Sequence, residues 1–207
     1  MNLSNKRRAI SKFGKEVIVV TGGIATGKSF VMEVFKRNGL HIFNSDEFVS
    51  SLMKPNGLAY KKVIDLVPEC LRDGYIDKRS LSRVAFSNKA ILTELEGILY
   101  PFLRQYRDEW IQSKKTTSDI SIAIEIPLYF EKNVKIKKDV VLSTICTIEI
   151  QRTRALARNK MDSKTIDKII ADQVSNEYRQ QHADILIYTD LTHEDTVQQV
   201  EGLLDIT

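Results

Sequence analysis

The chain has 207 residues, of which 43% are hydrophobic and 28% charged, with a net charge of +4. Those proportions describe a soluble globular protein long enough for one domain with an inserted or appended subdomain. They argue against a membrane protein, because no apolar run approaches the roughly 18 residues a membrane helix needs, and so small a net charge gives no ground for expecting nucleic acid as a partner.

At the N-terminus, Lys6, Arg7, Arg8, Lys12 and Lys15 precede the first acid, Glu16. Residues 1–15 therefore read as a flexible, solvated basic leader. Contact with nucleic acid or anionic lipid is the other use of such an arm. The arm has no apolar segment of the kind a secretory signal carries.

Val17–Thr21 reads as a buried strand. It runs into Gly22-Gly23-Ile24-Ala25-Thr26-Gly27-Lys28-Ser29, which fits G-x-x-x-x-G-K-[ST], and a helical stretch follows from Ser29 to Asn38. Strand, glycine-rich loop and helix in that order make a phosphate site. Backbone N–H groups and the helix N-terminus cradle anionic oxygens. Gly22, Gly23, Ala25, Thr26, Gly27, Lys28, Ser29 and Phe30 are the expected nucleotide contacts. Lys28 would neutralise the β- and γ-phosphates, and the Ser29 hydroxyl would hold Mg²⁺.

Leu40–Phe43 is the next strand, and Asp46 follows it in Asn44-Ser45-Asp46. A carboxylate at a strand's C-terminal end can take a proton from a substrate hydroxyl or hold Mg²⁺ through water. Equally, Ser45 or Asp46 would serve as a helix N-cap. The long interval from Asn44 to Asp119 shows apolar residues at helical spacing, such as Leu95, Leu99 and Leu103. It reads as a mostly helical insertion, with turns at Pro55-Asn56-Gly57 and Asp73-Gly74.

Ile120–Ile126 and Val140–Thr144 complete the middle of an α/β parallel sheet, and Ile185–Tyr188 supplies a fifth strand. Glu125 ends the third strand, where phosphate-loop enzymes often place an acidic metal partner; Glu125 and Glu131 read equally as exposed charges. Cys70 and Cys146 have no metal-type spacing and fit a reducing cytoplasm, Cys146 as a small buried hydrophobe.

Glu149–Tyr178 is helical and rich in Arg and Lys. Gln151, Arg154 and Arg158 share one helix face. Such a row can clamp a transferring phosphoryl group, while a solvated basic face is the plainer reading. Asn159-Lys160-Met161-Asp162 spells the guanine-binding N-K-x-D, but it follows a basic helix rather than a buried strand. No D-x-x-G accompanies it.

Taken together, these residues resemble the dephospho-coenzyme A kinases, from Val17 to about Asp190. Thr21-Gly22-Gly23-Ile24 with Gly27-Lys28-Ser29 is similar to the family's T-G-G-I-G-S-G-K-S. Asn44-Ser45-Asp46 stands where the family has D-A-D. Gly74-Tyr75-Ile76-Asp77 with Leu81 and Phe86 resembles G-x-L-D-R-x-x-L-x-x-x-V-F. Pro127-Leu128-Tyr129-Phe130-Glu131 resembles P-L-L-F-E, and Gln151-x-x-Arg154-x-x-x-Arg158 keeps the spacing of Q-x-x-R-x-x-x-R. Ala171-Asp172-Gln173 and Ala183-Asp184 resemble later family segments. Departures are Ala25 for a loop glycine, Phe30 for Thr, Lys78 for Arg, Tyr100 for His, and Tyr188-Thr189-Asp190 for D-N-x-G near the adenine end. Ala25 would be strained at positive φ.

The resemblance implies a P-loop kinase-like three-layer α/β sandwich with a five-stranded parallel sheet. It implies one kinase domain over 16–207, with a helical acceptor-binding insertion at about 46–115 and a helical lid at about 149–180. It further implies ATP-dependent phosphorylation of the ribose 3′-hydroxyl of dephospho-coenzyme A, with Mg²⁺. Asp46 would be the general base, and Lys28, Arg154 and Arg158 would stabilise the transferring group. The expected partners are those two small molecules, without nucleic acid or membrane. The expected protein is a cytoplasmic monomer or small homo-oligomer. Another phosphate-loop small-molecule kinase, or a nucleotide-binding paralogue lacking this activity, is the alternative.

Overall fold

The computed structural model describes residues 10–12, 14–158 and 162–204. In chain order its elements are β1 (Val17–Gly22), α1 (Lys28–Arg37), β2 (His41–Phe43), α2 (Ser45–Leu52), α3 (Tyr60–Leu66), a 3-10 turn at Pro68–Cys70, β3 (Leu71–Arg72), β4 (Tyr75–Ile76), α4 (Lys78–Ser87), α5 (Lys89–Thr117), β5 (Ile122–Glu125), β6 (Val140–Ile145), α6 (Ile148–Arg158), α7 (Ser163–Ala171), α8 (Asn176–His182), β7 (Ile185–Tyr188) and α9 (His193–Glu201). The described residues of 1–43 and 113–207 form one compact unit, and residues 44–112 form a second.

In the first unit five strands make one sheet in the order β2-β5-β1-β6-β7. All of its pairings are parallel. Every position of β1 is buried, so both faces of the sheet are covered, as the near-continuous apolar strands require. On one face Ile18, Val20, Leu142 and Ile185 pack with Val31, Phe35 and Val200 of α1 and α9. Burying each such side chain is worth about 1.5–3 kcal/mol. The parallel register brings all strand C-termini to one edge: Val20 lies beside Glu125 and Leu142, and Ile145 beside Tyr188. Ligands of open α/β sheets bind outside that edge.

Part of the leader expected at 1–15 is held against the sheet-bearing unit. Residues 1–9 and 13 lie outside the described residues. Ile10 is fully buried, and its N–H reaches Leu203 O at 2.7 Å. Ser121 then ties down the next residues, its N–H to Lys12 O at 2.8 Å and its Oγ to Ser11 O at 2.6 Å. The basic residues around Ile10 hid an apolar anchor that fills the core beside Val200 and Leu204.

Residues 44–112 have their own core, including Leu52, Val63, Val67, Cys70, Leu81 and Leu95. Four helices begin here, and α5 runs on into the sheet-bearing unit. The turn expected at Asp73-Gly74 closes a short antiparallel hairpin of β3 and β4. Both turn residues have positive φ, 47° and 80°, as a two-residue type I′ turn requires. The helical stretch from Glu149 to Tyr178 resolves into α6, α7 and the start of α8. Asp162 and Ser175 cap α7 and α8 through Thr165 N–H and Tyr178 N–H. Asn159–Met161 of the N-K-x-D run lie outside the described residues, and its Asp162 is occupied as a helix cap.

Candidate phosphate-binding site

Beyond β1 the chain must reverse into α1 within a few residues, and glycine makes that turn possible. Gly22 has φ 147°, and a Cβ there would stand 2.3 Å from Thr144 Oγ1. Gly27, the N-cap of α1, has φ 89°. Gly23 is needed for a different reason: a Cβ would come within 2.6 Å of Gln151 Nε2. Among the described residues, the N–H groups of Ala25, Gly27, Lys28 and Ser29 find no acceptor. Those are the donors an anion would take up at a loop and helix N-terminus. Phe30 differs, because its N–H is already donated to Gly27 O at 3.0 Å. Its ring packs on His193, with centroids 4.6 Å apart.

Ala25 adopts φ 56°. For a residue with a Cβ this left-handed conformation costs about 1–2 kcal/mol, so the loop holds real strain at this residue. Its neighbours are held on both sides. Ile24 N–H donates to Gln173 Oε1 at 2.8 Å. Thr26 Oγ1 donates to Gly23 O at 2.9 Å and meets Thr144 Oγ1 at 2.7 Å, while Thr189 Oγ1 donates to Thr26 O at 2.9 Å.

Lys28 leans over the same loop, its Nζ donating to Gly23 O at 2.7 Å and Gly22 O at 3.1 Å. Burial pulls its pKa below the ordinary lysine value, with Glu125 and Glu131 opposing and Arg179 and Arg158 adding to the shift. A desolvated ammonium near guanidinium groups is a site built for an anion.

Arg154 and Arg158 share a face of α6, and among the described residues Arg154 is the one held by hydrogen bonds. Its Nη2 donates to Thr189 O at 2.6 Å and its Nη1 to Thr189 Oγ1 at 3.2 Å. Since Thr189 also holds Thr26, Arg154 reaches the loop through that threonine. Arg158 is exposed. In the other unit, Asp46 is exposed in the first turn of α2. The N-cap of α2 is Asn44, whose Oδ1 accepts Glu47 N–H at 3.0 Å. The capping reading of Ser45 and Asp46 therefore fails, and the Asp46 carboxylate is left for other work.

Sequence reasoning missed Gln173, Thr144 and Thr189 as loop contacts, and it missed Arg179 altogether. Arg179 is 1% exposed and donates to Glu131 Oε1 at 2.7 Å, an oxygen that also accepts Val174 N–H at 3.1 Å. The resemblance drew attention to Gln173 and Thr189, while Glu131, which reads in the sequence as an exposed charge, is only 11% exposed because it pairs with Arg179. Arg179 lies just beyond the basic helical stretch read at Glu149–Tyr178.

As for a metal, Ser29 presents an exposed hydroxyl at the first turn of α1, and Glu125 ends the neighbouring strand β5. No group of three or more His, Cys, Asp and Glu gathers among the described residues. One hydroxyl and one carboxylate fit Mg²⁺, which keeps water and phosphate oxygens in most of its positions.

A family model described as dephospho-CoA kinase matches residues 16–195. The dephospho-CoA kinase of Fusobacterium nucleatum is 31% identical over 186 residues, covering 89% of this chain and 95% of that one. That of Bartonella quintana is 29% identical, covering 92% and 97%. Among solved structures, a Thermus thermophilus protein superposes with TM-score 0.74 at 22% identity, covering 90% of this chain and 94% of that one. The dephospho-CoA kinase of Campylobacter jejuni superposes with TM-score 0.64 at 22% identity, covering 91% and 95%. The fold agrees across these structures, and the family match spans both the phosphate loop and the residues that brace it: the chain belongs to the dephospho-CoA kinase family.

Proposed function

We propose that this protein transfers the γ-phosphoryl group of ATP to the ribose 3′-hydroxyl of dephospho-coenzyme A, giving coenzyme A and ADP. One observation carries the reading: in a chain of this family, the phosphate loop holds open N–H donors at Ala25, Gly27, Lys28 and Ser29 with a desolvated lysine above them. Those donors would take the phosphate oxygens. Lys28 would exchange the carbonyls of Gly22 and Gly23 for the β- and γ-oxygens, losing nothing in hydrogen bonds. Ser29 and Glu125 would hold Mg²⁺, which would supply charge neutralisation at the phosphates.

The 3′-oxygen attacks the γ-phosphorus and the β–γ bridging bond breaks, leaving ADP. The hydroxyl proton passes to a carboxylate, for which Asp46 is our candidate. Its exposure and its freedom from capping support that role. Arg154 and Arg158 would spread the charge of the transferring group, Arg154 after leaving Thr189. The two buried free thiols, Cys70 and Cys146, agree with work in a reducing cytoplasm.

The test is ADP release from Mg²⁺-ATP with and without dephospho-coenzyme A. Release should depend on that acceptor. In the Asp46→Asn variant it should fall by about 10²–10⁴, the range for a positioned base. Release with some other hydroxyl acceptor but not with dephospho-coenzyme A would overturn the substrate, and near-normal turnover of the variant would remove Asp46 from the chemistry.

A further inference from the structure

We infer that Gln173 is a positioning residue for the phosphate loop, and that this chain depends on it because Ala25 occupies a conformation suited to glycine. The inference rests on the reading of the loop as an ATP site and goes beyond it.

Two observations meet at one peptide. Ala25 has φ 56°, which a residue with a Cβ leaves readily unless its surroundings forbid it. The preceding residue is fixed by a side chain from a distant segment, Ile24 N–H donating to Gln173 Oε1 at 2.8 Å. The following residue is fixed from the sheet by Thr144 and Thr189. The strained peptide is thus clamped on both sides. The N–H groups that remain open, at Ala25 and from Gly27 to Ser29, point as they do only while the clamp holds.

Gln173 is itself held in place. It follows α7, and the next residue, Val174, donates its N–H to Glu131 Oε1 at 3.1 Å. The same oxygen receives Arg179 Nη2 at 2.7 Å. Arg179 is 1% exposed, so this anchor is deeply buried. Glu131 and Arg179 therefore fix the connection between α7 and α8, and Gln173 carries that fixation to the loop. A glycine at position 25 would adopt the left-handed conformation without help. Gln173 would then matter much less.

That dependence gives a test that a merely structural role would not satisfy. ATP affinity is measured for wild type, Gln173→Met, Ala25→Gly and the double variant. In the wild-type background Gln173→Met should weaken ATP binding roughly 3–10-fold, the worth of one hydrogen bond. In the Ala25→Gly background the same change should cost less than about 2-fold. In ligand-free protein, exchange of the Ile24 amide should accelerate roughly tenfold in Gln173→Met. Should that variant fold poorly, Gln173→Asn shortens the side chain out of reach while keeping the amide. Equal factors in the two backgrounds, or an Ile24 amide indifferent to position 173, would overturn the inference. The amide measurement needs no nucleotide, so a wild type that failed to bind ATP would refute the functional reading while leaving the positioning role testable.

Discussion

Lys28 is the residue at which stability and function pull apart. Burial depresses its pKa, so folding disfavours its proton. Below the depressed pKa both folded and unfolded chains hold the proton, and the full penalty stands. Between that value and the unfolded value of about 10.4, the unfolded chain binds more protons than the folded one, so stability rises with pH. The Gly22 and Gly23 carbonyls lose a donor in Lys28→Met, but that cost does not vary with pH. We therefore expect the melting temperature of ligand-free wild type, relative to Lys28→Met, to climb as pH is raised from 7 toward 10. A difference that stays flat or falls would mean that Lys28 is not desolvated. Lys28 and Ser29 were legible in the sequence because a motif states their chemistry. The strain at Ala25 was legible only as a condition, since the letter Ala does not reveal φ. The Asn44 cap was not legible at all, because Asn44, Ser45 and Asp46 all suit a cap and only geometry chooses among them.

At the scale of elements, the connection between α7 and α8 depends on one buried ion pair. The Arg179 and Glu131 side chains are 1% and 11% exposed, and Glu131 Oε2 and Arg179 Nη1 find no hydrogen-bond partner among the described residues. Such a pair is not a large net gain, but removing one member strands a charge. Arg179→Met should therefore destabilise the protein by about 3–5 kcal/mol in urea unfolding. The double variant Glu131→Gln/Arg179→Met should recover a substantial part of the loss. A double variant no more stable than the single one would show that Arg179 acts through packing instead, for instance over the Phe130 ring 6.0 Å away. Periodicity could find the helical stretch that contains α6, α7 and α8, and it put Gln151, Arg154 and Arg158 on one face. It could not show that Gln151 is buried beside Gly23, nor that Arg154 is spent on Thr189. A helical wheel gives the direction of a side chain but not the backbone group waiting there.

At the scale of the whole molecule, all five strands were readable as branched apolar runs, but their order was not. Parallel strands follow one another through long crossovers, and adjacency is decided by how helices pack on the sheet rather than by any local signal. The sheet places β1 between β5 and β6, which is why the loop after β1 meets Thr144 from one neighbour while Lys28 feels the charge of Glu125 from the other. The interval between β2 and β5 reads as an insertion because it is too long for a crossover; residues 44–112 have a core of their own. Separate cores should respond separately to the two substrates. At a concentration 100 times its Kd a ligand adds about 2.7 kcal/mol to whatever opening it opposes, which slows exchange roughly 100-fold. ATP should impose that slowing on amides of the sheet, such as Val19 and Leu142, and spare Val63 and Leu81. Dephospho-coenzyme A should instead protect Val63 and Leu81 if the insertion binds the acceptor. Equal protection of both sets by ATP alone would show a single cooperative body. Protection of neither Val63 nor Leu81 by dephospho-coenzyme A would place acceptor binding elsewhere.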